Sequence, residues 1–284
     1  TASARTSRCR TCARAPRSQS ASSSPSPLGE IERRFGGRVG VAALALGAGA
    51  RLEHRASERF AMCSTFQWLL VAATLANAER GKIALDREIA YSAADLLDYS
   101  DVTRAHLAEG RMSVAALCDA AVEASDNAAA NLLLRELGGP PAYTAFVRSL
   151  GDATTRLDRN EPTLNENAPG DPRDTTTPAA MLATMQRVLV GDALAPASRA
   201  RLVDAMRRCR TGRARLRAGF PATWTAGDKT GTGSRGASGD LAIAWPPGRA
   251  PILVASYTSD RDADIDTLHA VHARVGRVVA ATLG

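Results

Sequence analysis

Three short motifs hold the side chains best suited to chemistry: Ser64-Thr65-Phe66-Gln67, Ser125-Asp126-Asn127 and Lys229-Thr230-Gly231, in that order along 284 residues. Two serine hydroxyls and a lysine are the parts of a serine acyl-enzyme, in which one serine attacks a carbonyl while the other groups move protons and hold charge. A fourth element, Arg159-Asn160-Glu161-Pro162-Thr163-Leu164-Asn165, adds a carboxylate and an amide four residues apart, a pair suited to holding and activating water. Each element is weak alone. A serine before a helix is an ordinary cap, S-D-N an ordinary helix junction, and a loop glutamate ordinarily a solvated charge. Together, in this order, they are hard to obtain by chance.

Gln67 stands apart from the set. It follows Ser64 by three residues and so shares its helical face, where a lysine would reach the serine hydroxyl. An amide neither carries a positive charge nor accepts a proton at ordinary pH, so proton shuttling at this position is lost. Only Lys82 and Lys229 among the 36 basic residues are lysines, and neither lies near Gln67 in the sequence. The remaining cations are arginines, unsuited to proton transfer. With no cation beside it, Glu161 is expected to hold its proton more tightly than usual.

The elements that must position these groups follow from pattern. Arg38 to Leu46 and Leu52 to His54, around Gly47-Ala48-Gly49, read as a β-hairpin after a helical start at Ile31. The apolar run Phe66 to Asn77 reads as a buried helix with Ser64 at its N-terminus, a favoured capping type and a place where the helix dipole favours developing negative charge. Helical periodicity recurs over about 113–124, 127–137, 140–150, 178–189 and 196–209. Residues 157–177, with Pro162, Pro169, Gly170 and Pro172, form a long irregular loop. Short strands follow at Thr223 to Thr232, Leu241 to Trp245 and Ile252 to Tyr257, then a closing helix over about Ile265 to Leu283. The predicted fold is α+β: a five-stranded antiparallel sheet built from both chain ends and flanked by helices, with a second, all-helical lobe. The expected division is a Ser/Arg/Pro-rich disordered segment over 1–27 and one catalytic domain over 28–284. Within it, the α/β lobe takes about 28–63 and 211–284 and the helical lobe about 64–210.

Composition excludes several functions. The net charge of +7 contains five arginines (Arg5, Arg8, Arg10, Arg14 and Arg17) that precede the first acidic residue, Glu30, leaving about +2 for the rest. Such a local excess does not suggest a nucleic-acid partner. No apolar run is long enough to predict a membrane span. Residues 1–27 lack the apolar stretch of a secretory signal, and the chain opens on Thr, so the native start is expected to lie elsewhere. Cys9, Cys12, Cys63, Cys118 and Cys209 offer no metal-ligating spacing beyond one C-x-x-C in that segment. His54 and His106 are scattered, and the helical pair His269 and His272 reads as solvent-facing. No metal site, phosphate loop or dinucleotide fingerprint is found, so no cofactor is implied.

On these motifs the chain, over roughly residues 30–284, resembles the class A serine β-lactamases. Arg59 to Phe66 resembles the family's approach to its nucleophile, Leu157 to Asn165 its catalytic loop, Gly170 to Pro178 the segment that follows, and Gly227 to Gly233 its K-T-G strand. The resemblance implies that Ser64 attacks the β-lactam carbonyl and that the backbone amides of Ser64 and Thr232 form the oxyanion hole. It implies that Ser125 relays a proton to the lactam nitrogen, while Lys229, Thr230, Thr232 and Arg215 receive the substrate carboxylate. Asn127 would contact the acylamide side chain, Tyr99 would wall the site, and Glu161 with Asn165 would position the hydrolytic water. It further implies a small-molecule β-lactam and water as partners, a monomer, and a periplasmic or secreted location. Where the family has lysine, Gln67 predicts acylation slowed by about 10² to 10⁴-fold. The alternative is a catalytically impaired module that binds β-lactams or peptidoglycan fragments. The bridge that some carbapenem-hydrolysing relatives make from the residue before the nucleophile is absent, since Gly233 and Ser234 stand where the partner of Cys63 would be; Cys209 is the other candidate partner.

Overall fold

The computed structural model describes residues 1–2 and 26–284. The Cys9-x-x-Cys12 pair and most of the segment expected to be disordered lie outside the described residues. The elements are α1 (Pro27–Phe35), β1 (Arg38–Ala45), β2 (Arg51–His54), β3 (Phe60–Ala61), α2 (Phe66–Glu79), β4 (Glu88–Ala90), α3 (Asp101–Ala105), β5 (Arg111–Ser113), α4 (Val114–Glu123), α5 (Asn127–Leu137) and α6 (Gly139–Ser149). After the long loop come β6 (Thr175–Thr176), α7 (Pro178–Leu189), α8 (Pro196–Arg207), α9 (Leu216–Gly219), β7 (Thr225–Thr232), β8 (Ser238–Trp245), β9 (Ile252–Ser259) and α10 (Ile265–Leu283).

The sheet is five-stranded and antiparallel in the order β2-β1-β9-β8-β7, so the first strands meet the last, as the sequence predicts. Side-chain alternation splits β1 between two cores. Val39, Val41, Ala43 and Ala45 pack with Val271, Val275 and Val279 of α10, whereas Ala42 and Leu44 join the helices on the opposite face. At the centre of those helices lies α2, buried at every position from Phe66 to Ala76. A helix apolar on nearly every face belongs in an interior, and this one, with Gln67 in its first turn, carries its N-terminus to the edge of the sheet.

Three expectations are corrected. Helix α1 opens at Pro27 rather than Ile31, because Ser26 accepts a hydrogen bond from Gly29 N, Pro27 suits the first helical position, and Leu28, Ile31 and Phe35 share a buried face. Strand β8 begins at Ser238 rather than Leu241, since Ser238, Gly239 and Asp240 pair with Thr232, Gly231 and Thr230. His272 is fully buried instead of solvent-facing, with Nδ1 2.9 Å from Ser256 Oγ and Nε2 3.1 Å from Ser238 Oγ. Among the described residues, no helix is long and apolar enough to cross a membrane.

Candidate active site

Ser64 lies in a single 3₁₀ turn, Cys63–Thr65, just before α2. Its hydroxyl caps nothing. It instead donates to Glu161 Oε1 at 2.9 Å, in a pocket that leaves Ser64 9 % and Glu161 4 % exposed. Cys63, one residue earlier, takes φ +47°, a left-handed conformation that costs a non-glycine residue about 1–3 kcal/mol and turns the chain sharply at the serine. Strand β7 is flush against this turn. A Cβ on Gly231 would stand 2.9 Å from Ser64 N and 2.8 Å from Thr65 N, so only glycine lets the strand come this close.

The loop over residues 157–177 is held by buried polar contacts. Arg159 Nε donates to Asp174 Oδ2 at 2.5 Å, and the backbone N–H groups of Asp158 and Arg159 donate to Asp174 Oδ1. Asn131 on α5 brackets the glutamate: its Oδ1 accepts from Glu161 N at 3.0 Å, and its Nδ2 donates to Glu161 O at 2.9 Å. Asn165 Nδ2 donates to Glu161 Oε2 at 2.6 Å. On the other side, Ser234 N and Oγ both donate to Asn165 O, which ties the β7–β8 turn to the loop.

Gln67 is wholly buried between the two serine centres. Its Nε2 donates to Glu161 Oε1 at 3.0 Å and to Asn127 Oδ1 at 3.5 Å, while its Oε1 accepts from Ser125 Oγ at 3.2 Å. Ser125 also accepts from Lys229 Nζ at 2.8 Å, and Lys229 makes a second bond to Thr230 O. Ser64, Glu161, Gln67, Ser125 and Lys229 thus form one continuous hydrogen-bonded chain across the cleft. The rim carries Asn127, whose N donates to Tyr99 O and whose Nδ2 donates to Asp98 O; the Tyr99 ring itself is 80 % exposed. Tyr99 and Ser125 have φ of +57° and +58°, so backbone strain collects on both walls.

Beneath β7 the buried Arg215 donates to Gly231 O at 2.8 Å, Gly239 O at 2.7 Å and Thr232 Oγ1 at 2.6 Å. Its guanidinium is committed to the strand edge and meets the cleft through the Thr232 hydroxyl. Thr230 Oγ1 lies 2.6 Å from Thr211 Oγ1. The candidate site residues predicted from the sequence therefore gather around one hydrogen-bonded centre, and Asn131, Asp174 and Ser234 join them as supports.

Two protonation states matter. Burial raises the Glu161 carboxyl above its ordinary value, against the hydrogen bonds from Ser64, Asn165 and Gln67 and the charge of Lys229. The direction is that expected from the sequence, and burial is the largest cause. Burial also pushes the Lys229 ammonium down to about 8, although Cys209, Glu161 and Asp228 favour its charged form. Cys63, Cys118 and Cys209 are free thiols, and burial holds the Cys63 thiol up at about 12.

Comparison with known proteins agrees with this architecture. A family model described as the β-lactamase enzyme family matches residues 27–283. The chain is 48 % identical to β-lactamase AST-1 of Nocardia asteroides over 90 % of its own length and 82 % of the relative's. It is 46 % identical to the carbapenem-hydrolysing β-lactamase KPC of Klebsiella oxytoca, covering 91 % of this chain and 88 % of that one. Among solved structures, an ancestral class A β-lactamase of Gram-negative bacteria is 57 % identical with a TM-score of 0.88, over 90 % of this chain and 98 % of the other. A β-lactamase from Desulfarculus baarsii is 50 % identical with a TM-score of 0.88, over 91 % and 96 %. With a family match across nearly the whole described chain, identities near one half and the same fold, the chain belongs to the class A β-lactamases.

Proposed function

We propose that the protein opens the β-lactam ring of penicillins and related compounds through an acyl-enzyme on Ser64, with turnover slowed by Gln67. The observation that carries this reading is the 2.9 Å hydrogen bond from Ser64 Oγ to Glu161 Oε1. A buried carboxylate in contact with the hydroxyl can take its proton directly as the oxygen attacks the ring carbonyl. The amides of Ser64 and Thr232 face the oxygen on which charge develops, and the Lys229, Thr230, Thr232 and Arg215 group offers positive charge and hydroxyls to the substrate carboxylate. Asn127 and Tyr99 border the acyl side chain. Once the ester has formed, Glu161 and Asn165 position and deprotonate the water that hydrolyses it.

Gln67 can hydrogen-bond but cannot exchange a proton, so acylation is reduced by about 10² to 10⁴-fold against a lysine at the same place. The same residue favours a second reading, a module that captures β-lactams or peptidoglycan fragments without turnover. Intact-protein mass spectrometry during incubation with benzylpenicillin, run beside spectrophotometric hydrolysis, separates them. A Ser64 adduct with measurable turnover, lost in Ser64→Ala and raised in Gln67→Lys, supports the enzyme. Neither adduct nor hydrolysis until lysine is restored leaves the binding module. The enzyme reading also carries a monomer acting without a cofactor in the periplasm or after secretion, as the resemblance implies.

A further inference from the structure

We infer that Lys229, acting through Ser125, supplies the proton taken up by the departing lactam nitrogen, and that Gln67 insulates this path from the one that strips Ser64. The inference rests on the acyl-enzyme reading above.

The polarity of Gln67 is fixed by its neighbours. Nε2 faces the Glu161 carboxylate at 3.0 Å, and Oε1 faces the Ser125 hydroxyl at 3.2 Å. Turned over, the amide would set its carbonyl against a carboxylate, two acceptors with no proton between them. In the observed orientation an amide N–H does not release its proton and an amide carbonyl does not keep one near neutral pH. A proton moved from Ser64 to Glu161 therefore stops there. A lysine at position 67 would have joined the two serines through a group that both takes and gives protons; Gln67 hydrogen-bonds to both sides and conducts to neither.

The leaving nitrogen still needs a proton, and Ser125 can give only one before it must be resupplied. Its hydroxyl touches Gln67 Oε1 and Lys229 Nζ, and of these only the ammonium is a proton source. Lys82, the other lysine of the chain, is exposed beyond the far end of α2. The second bond of Lys229 runs to Thr230 O, which accepts and offers nothing back. Burial favours release, holding the ammonium near 8. The titratable and charged groups that face it are Glu161 from the long loop, the Cys209 thiol after α8, itself raised to about 11 by burial, Asp228 of its own strand and Arg215 before α9; only Arg215 adds to the effect of burial.

The acylation step balances as follows. The Ser64 Oγ–carbonyl carbon bond forms and the lactam C–N bond breaks. The Ser64 proton goes to Glu161, the Ser125 proton goes to nitrogen, and a Lys229 proton replaces the one Ser125 lost. Glu161 is left as a neutral acid and Lys229 as a neutral amine. Each returns to its starting state by exchange with solvent, and Glu161 must do so before it can deprotonate the hydrolytic water.

A double-mutant cycle on the acylation rate of nitrocefin, followed by stopped flow with adduct formation checked by mass, tests this. Arginine at position 229 keeps the positive charge for a substrate carboxylate but does not release its proton. Lys229→Arg is expected to slow acylation of this chain by about 10²-fold or more, and that penalty is expected to shrink at least about tenfold in the Gln67→Lys background, where a second ammonium touches Ser125. In the unmodified chain, acylation should fall as pH rises through about 8, and Lys229→Arg should abolish that limb. Ser125→Ala should cost about as much as Lys229→Arg, and the pair no more than either, because the two act as a unit. Equal Lys229→Arg penalties in both backgrounds, an unchanged basic limb, or additive losses with Ser125→Ala would overturn the inference and reduce Lys229 to a fixed charge. An adduct in Gln67→Lys but none in the unmodified chain would sink the acyl-enzyme reading of this chain, and the inference with it. No adduct in either protein sinks the acyl-enzyme reading itself.

Discussion

Gln67 donates through Nε2 to Glu161 Oε1 at 3.0 Å, so the residue in the lysine position steadies the proposed base without giving it a countercharge. Glu161 consequently keeps Lys229 as the cation that lowers its affinity for protons, against a larger effect of burial. The acid limb of the reaction follows. As pH falls through the raised Glu161 value the carboxylate takes up a proton and can no longer accept one from Ser64 or water. Gln67→Lys sets an ammonium beside the carboxylate and favours its ionised form. The expected outcome is an acid limb displaced to lower pH in Gln67→Lys, together with the gain in acylation, both read from pre-steady-state rates between pH 4 and 7. An acid limb at the same pH in both proteins would mean that Glu161 does not report the charge at position 67.

Asn131 offers a check on how the proposed base is positioned. Its amide satisfies both the N–H and the C=O of Glu161. Asn131→Ala leaves two backbone groups without those partners, at a cost of about 1–3 kcal/mol, measurable by urea denaturation. Because the loop loses register at Glu161, deacylation should suffer more than acylation, and acyl-enzyme should accumulate in mass spectra taken at steady state. Equal losses in the two steps would argue that Asn131 merely stabilises the fold.

The approach of β7 to the Ser64 turn gives a third test. Gly231→Ala inserts a methyl where Ser64 N and Thr65 N stand 2.9 and 2.8 Å away, both of them backbone atoms that cannot swing aside. The strand and the turn must part, and a misplacement near 1 Å costs about 10²-fold in rate. We expect kcat/KM for benzylpenicillin to fall by about that factor with the far-ultraviolet circular dichroism unchanged. Full activity in Gly231→Ala would show that the close approach is dispensable.

His272 couples stability to pH. Burial, then the charges of Arg215 and His269, hold its imidazole well below the ordinary value of 6.5, so the folded protein keeps it neutral between the Ser238 and Ser256 hydroxyls. The unfolded chain binds the proton from about pH 6.5 downward and the folded chain does not. Stability is therefore fully present above 6.5 and declines as pH falls below it, by up to about 1.4 kcal/mol per pH unit from this group. Denaturation midpoints at pH 7 and pH 5 should differ less in His272→Gln than in the parent. An identical difference would trace the acid sensitivity to other groups.

Much of this protein was legible in its residues. Apolar periodicity marked α5, α7 and α10 at their observed bounds, because each buries one face against a core that the pattern itself announces. The motif residues were legible by type, since a serine, a carboxylate and a lysine do chemistry that few other side chains do. What the sequence by itself could not determine is which groups touch. Ser64 meets Glu161 across 97 residues and Ser125 meets Lys229 across 104, and such contacts depend on how helices and strands stack rather than on any local preference. Asn131 looks like one more polar residue of α5 until the loop lies over it. His272 looks like a surface histidine until α10 presses it onto β8 and β9. Gln67 was visible as the odd residue in its motif, but only packing decided that its amide would face a carboxylate on one side and a hydroxyl on the other. Local pattern fixes which face of an element is buried; the tertiary structure decides what that face meets, and the chemistry is set by the meeting.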